Sequence, residues 1–290
     1  MSSASIATGG SDLAADLTLP SGGGPHAAIV PLHPASEASR NQLLFRHLAD
    51  VLPPRGIAVL RYDRRGDNVP FDDQVADANA AVDALRSNPA IDPSRIGLWG
   101  FSQGAWIAPM VAAASDRIAF LVLLASTGVS PAEQMRYGTV KHARQAGYGD
   151  DVARRIVDVR GALEEFQRGR LPREEAQRAI DAVANEAWFE HAYVRRELPD
   201  ASGFWPDMDF DPAAIFAKVR VPTLLFYGED DEWQPIDASI AAWRRAGVDD
   251  LTIVRLPGTG HAPTLEGGNI SPEYERTLLA WLDDRFGRTR

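Results

Sequence analysis

The chain has 290 residues, 45% of them hydrophobic, which is enough to bury one large core and excludes a disordered protein. Its formal charge of −10 argues against nucleic acid and against an anionic membrane as partners. The absence of cysteine excludes disulfides, thiolate metal sites and a cysteine nucleophile, and no apolar run is long enough to span a bilayer.

The opening residues carry no basic segment followed by an apolar one, so the expectation is an unexported, cytoplasmic protein. Two short segments, Ser5 to Thr8 and Asp12 to Leu19, flank Gly9-Gly10 and predict an antiparallel hairpin. Apolar strands then alternate with helical stretches: AAIVPL (27–32), IAVLRY (57–62), RIGLWG (95–100), AFLVLLA (119–125), TLLFYG (223–228) and LTIVRL (251–256). Near-continuous apolar runs separated by helices predict an α/β protein with a mostly parallel sheet of about eight strands, covered on both faces.

Between the second and third runs, Val75, Ala78, Val82 and Leu85 form one face of a helix that Asp72 or Asp73 would cap. Residues 131–216 contain no strand pattern, yet Val152, Ile156, Val159, Leu163 and Phe166 recur at helical spacing. This stretch reads as an inserted helical cap of three or four helices, between core segments 1–130 and 217–290. At the end of the chain, Ser271-Pro272-Glu273 is an N-cap, a proline at N1 and a first-turn acid for a closing helix.

The chemistry centres on Gly100-Phe101-Ser102-Gln103-Gly104, which joins a strand pattern to a helix pattern. A serine at such a turn needs small neighbours if its hydroxyl is to be presented as a nucleophile. It also needs a base, because a serine hydroxyl is barely ionised at neutral pH. Of six histidines, His261 follows the last strand, where a loop would share the sheet edge with Ser102. The acid that orients the base comes from YGEDDEWQP; Asp231 is the choice and Asp230 the alternative if the turn is one residue tighter.

The order Ser102, Asp231, His261 is that of α/β-hydrolases, and the chain resembles them. In detail it resembles bacterial serine esterases of the dienelactone-hydrolase-like and prolyl-oligopeptidase-like kinds. DLAADLTLP, RYDRRGDN, GLWGFSQGAWIAP, YGEDDEWQP and GTGHAP carry the likeness over the whole chain except the insertion. The resemblance implies an α/β-hydrolase fold and a serine hydrolase that cleaves carboxylic esters, thioesters or lactones through an acyl-enzyme; no metal-ligand spacing or phosphate-cradling glycine loop stands out in the sequence, so neither a cofactor nor a metal is expected. A tailoring enzyme that uses the same scaffold for acyl transfer or cyclisation is the alternative.

Where relatives read His-Gly-Ser-Gly-Pro after the third strand, this chain reads His33-Pro34-Ala35-Ser36-Glu37. Pro34 has no N–H, so the resemblance implies Ala35 and Gln103 as the oxyanion-hole donors. Asp63-Arg64-Arg65-Gly66 reads as an ion-paired turn near the site. Trp188, Tyr193 and Trp205 are candidates to line an acyl pocket, with core packing as the competing role for each. The expected partner is a small-molecule substrate, with neither nucleic acid nor membrane, and a homodimer is compatible with the sequence.

Overall fold

The computed structural model describes residues 2–7, 12–66 and 69–286. The Gly9-Gly10 turn and Asp67-Asn68 lie outside these residues. The chain divides into two compact units, Met1–Gly128 with Pro212–Asp231 and Ile236–Arg290, and Val129–Asp211 with Glu232–Pro235.

The first unit is built on β1 (Ser2–Ala7), β2 (Asp12–Thr18), β3 (His26–Leu32), β4 (Ile57–Tyr62), β5 (Ile91–Phe101), β6 (Phe120–Leu124), β7 (Thr223–Gly228) and β8 (Leu251–Leu256). They form one sheet in the order β1-β2-β4-β3-β5-β6-β7-β8. β2 pairs antiparallel with β1 and β4, and every other pairing is parallel. This is the mostly parallel eight-stranded sheet expected from the alternating pattern, in the α/β-hydrolase fold that the resemblance implies. β3, β4, β6 and β7 are buried along their whole length, which is why they read as unbroken apolar runs.

The connections are α1 (Leu43–Val51), α2 (Phe71–Arg86), α3 (Gly104–Ala114), α7 (Pro212–Phe216), α8 (Ile236–Ala246) and α9 (Pro272–Phe286), with α4 to α6 in the other unit. Against one face of the sheet, Phe45 and Leu48 of α1 join Tyr274, Leu278 and Leu282 of α9 in a core with Ile29, Val59, Trp99, Val122 and Phe226. Trp99 Nε1 donates to the Tyr274 hydroxyl at 3.0 Å, so the buried indole has its partner. α9 starts as expected, with Ser271 Oγ accepting from the Tyr274 N–H at 3.4 Å. α2 does not: Pro70 is its N-cap and neither Asp72 nor Asp73 caps it. Pro70 sets the extended entry to the helix, so both acids fall in the first turn, where they face the positive end of the helix dipole.

The second unit comprises α4 (Pro131–Gln145), α5 (Asp150–Gln167), α6 (Arg173–Asp181) and a short 3-10 turn, Phe189–Ala192. α4 opens with a capping box in which Ser130 Oγ accepts from Glu133 N–H at 3.3 Å and Glu133 Oε2 accepts from Ser130 N–H at 3.0 Å. The α5 stripe packs with Ala176, Ile180, Trp188 and Phe189 to form a core belonging to this unit. The boundaries differ from the sequence expectation of 131–216. α7 joins the sheet unit because Phe216 stacks on Trp243 of α8 at 3.9 Å. Glu232–Pro235 joins the helices because Trp233 packs on His142 at 4.5 Å and on Tyr193 at 5.1 Å.

Among the described residues, no helix is long and apolar enough to cross a membrane. Ile156 is fully buried at the centre of α5. Ile156→Ala is expected to destabilise the helical unit by about 2–5 kcal/mol, seen as faster amide exchange across α4 to α6.

Candidate active site

β5 ends at Phe101 and α3 begins at Gly104, leaving Ser102 and Gln103 to make the turn. Ser102 is held at φ 53°, in the left-handed region that costs an L-residue about 1–2 kcal/mol. Its backbone holds it there: the Ser102 N–H donates to Leu124 O at the end of β6, and its carbonyl accepts from the Ala105 N–H, each at 3.0 Å. The two glycines are required by space. A Cβ on Gly100 would lie 2.4 Å from the Gly104 carbonyl, and one on Gly104 would lie 2.3 Å from the Leu32 carbonyl. Only glycine lets α3 start so close to β5 and β3.

Ser102 Oγ lies 2.9 Å from His261 Nε2. The other ring nitrogen, Nδ1, lies 2.9 and 3.1 Å from the two carboxylate oxygens of Asp231. Serine, imidazole and carboxylate thus form one hydrogen-bonded chain across residues far apart in sequence. Asp231 is fully buried, whereas Glu229 and Asp230 are exposed. The Asp230 N–H donates to Thr259 O at 3.0 Å, tying the turn after β7 to the loop that carries His261. Of the two acids left open by sequence, the structure brings Asp231 to the histidine.

Ala35 lies in an exposed turn after β3, and Gln103 caps α3 with helical φ and ψ. Arg64 reaches both stretches. Its guanidinium donates to the Pro34 carbonyl at 2.9 Å, to the Ala35 carbonyl at 2.9 Å and to Gln103 Oε1 at 3.1 Å. Gln74 Nε2 also donates to Gln103 Oε1, at 3.1 Å. The neighbouring charges are the ion pairs expected of the turn: Asp63 with Arg40, and Arg65 with the fully buried Asp77. Gln74 carried no sequence signal, and Arg64 was readable only as one of a charged run.

The three aromatic candidates all fall in the helical unit, in different settings. Trp188 is 3% exposed inside that unit's core, with Arg155 4.9 Å over its ring, the setting of the core role that competed with the pocket role for it. Tyr193 is 52% exposed and in the left-handed conformation, edge-on to Trp233. Trp205 is half-buried, and its backbone N–H donates to Gln167 Oε1 at 3.3 Å.

The sequence profile described as the Alpha/beta hydrolase family matches residues 22–271. The chain belongs to the α/β hydrolase family. It is 25% identical to esterase EstD of Thermotoga maritima over 92% of its own length and 64% of that protein. It is 31% identical to the thiohydrolase apmlB of Arthrinium phaeospermum over 33% of its length and 36% of that protein. The chain therefore spans less than two thirds of either relative. Among solved structures, an esterase of Pyrococcus furiosus superposes with a TM-score of 0.66 at 17% identity, over 99% of this chain and 91% of that one, a likeness of fold.

His33, at the head of the Pro34-Ala35 turn, is buried between the rings of Phe45 and Tyr62. Burial, and then the Arg64 charge, lower its pKa from 6.5 to about 3, so it is neutral in the folded protein. Between these two values the unfolded chain binds the proton that the folded one refuses, so stability falls as the pH drops from 6.5 towards 3. His33→Gln, which keeps a neutral polar group, is expected to flatten this acid limb in a plot of melting temperature against pH.

Proposed function

We propose that this protein is a serine hydrolase that cleaves carboxylic esters of small to medium apolar substrates through an acyl-enzyme. The hydrogen-bonded chain from Ser102 Oγ through His261 to the buried Asp231 carries the reading. His261 Nε2 takes the Ser102 proton as Oγ attacks the acyl carbon, and then delivers it to the departing alcohol. Asp231 accepts from Nδ1–H, which fixes the tautomer that leaves Nε2 free to act as base and stabilises the imidazolium. The Ala35 and Gln103 N–H groups receive the developing oxyanion. Water, activated by the same imidazole, releases the acid and restores the serine.

The likeness to esterase EstD supports an ester as the substrate. The likeness to the thiohydrolase covers only a third of this chain, and extends the class to thioesters, which the same nucleophile and base would cleave.

Nitrophenyl esters of increasing acyl length, assayed together with fluorophosphonate labelling, test this reading. Ser102→Ala and His261→Ala are each expected to lower kcat by about 10⁵–10⁶-fold, and Ser102→Ala to abolish labelling, because nucleophile and base act as one unit. Labelling that persists in Ser102→Ala refutes the assignment. Asp231→Asn is expected to cost about 10⁴-fold in kcat, and Asp230→Asn less than about tenfold.

A further inference from the structure

Arg64 directly follows the short stretch after β4 and is buried despite its charge. Besides the bonds to Pro34, Ala35 and Gln103, its Nε donates to the Gly66 carbonyl at 2.8 Å. These four acceptors are carbonyl oxygens. One planar group thereby bridges two segments, 30 and 39 residues from it in sequence, that carry the two oxyanion donors.

The Pro34 carbonyl and the Ala35 N–H belong to the same peptide unit, which is not among the cis bonds of the chain. In a trans peptide the two groups point to opposite sides, so holding the oxygen sets the direction of the N–H. A charged donor on the oxygen also draws electron density from the amide and strengthens the N–H as a donor. The Gln103 side chain, gripped by Arg64 and Gln74 together, steadies the residue whose backbone N–H is the second donor. The family's glycines are absent from this loop, and Arg64 supplies the restraint that fits the Pro34-Ala35 backbone to its task.

We propose that Arg64 is a positioning residue for acyl transfer, acting through the Pro34-Ala35 peptide and Gln103 to aim the oxyanion donors rather than by touching substrate. The inference rests on the serine-hydrolase reading above.

The test compares Arg64→Ala and Arg64→Lys with wild type. Three quantities are measured: kcat per active site after titration with a fluorophosphonate, KM, and the inhibition constant of a trifluoromethyl ketone whose adduct carries the oxyanion. For Arg64→Ala, kcat is expected to fall about a hundredfold, KM to move less than about threefold, and ketone affinity to fall with kcat/KM. Methylguanidinium is expected to restore part of the lost kcat.

Arg64→Lys keeps the charge but not the forked donor, and is expected to lose about tenfold in both kcat and ketone affinity. It also serves if Arg64→Ala does not fold. A purely structural role would lower the fraction of active sites and the melting temperature, while kcat per site and ketone affinity stayed within about threefold of wild type in the folded variant; that result overturns the proposal. Failure of the underlying reading is separately visible, since wild-type protein would then show no Ser102-dependent labelling or turnover, and the inference would fall with it.

Discussion

The left-handed turn at Ser102 is the constraint on which the site depends. It lifts one side chain off the end of β5 at a conformational cost that the surrounding contacts must offset. They do so by close approach: the Leu32 carbonyl stands 2.3 Å from where a Cβ on Gly104 would be, and the Leu124 carbonyl accepts the Ser102 N–H. The turn is thus clamped between β3 and β6, the two strands that flank β5. A slip of either neighbour would release the strain, so the parallel register of the central sheet and the presentation of the hydroxyl are one requirement.

The same carboxyl edge collects the polar groups. Asp231 emerges from β7 and His261 from the loop after β8, and the backbone bond from Asp230 to Thr259 holds those two loops together. Asp231 is buried and Ser102 and His261 half-buried, so their hydrogen bonds act where water screens them less. His33, Arg64, Gln74 and Gln103 form a second polar cluster, with His33 kept neutral beside the Arg64 charge. Four matched acceptors give that loop a defined geometry in place of the freedom that glycines would allow.

Much of this was written into local sequence. Apolar runs marked the strands, the α5 stripe at helical spacing marked a packed helix, and Ser271-Pro272 marked the start of α9. The Gly-x-Ser-x-Gly turn, a histidine after the last strand and an acid after the one before it were legible because strand-end loops of a parallel sheet share an edge. Other features were not. Trp188 and Tyr193 lie five residues apart and are both aromatic, yet one is core and the other exposed. Asp230 and Asp231 are identical in type and adjacent, and only their opposite burial separates them.

The sequence by itself marked the strand and helix alternation, the Gly-x-Ser-x-Gly turn and the histidine after the last strand, because these depend on periodicity and on steric rules acting over a few residues, while its motifs carried the resemblance to the family. Tertiary structure alone decided which acid meets His261, where the helical unit begins and ends, and what Arg64 holds. Each of those outcomes depends on which groups lose water together, and residues as distant as Ala35, Arg64 and Gln103 become neighbours only once the sheet has assembled.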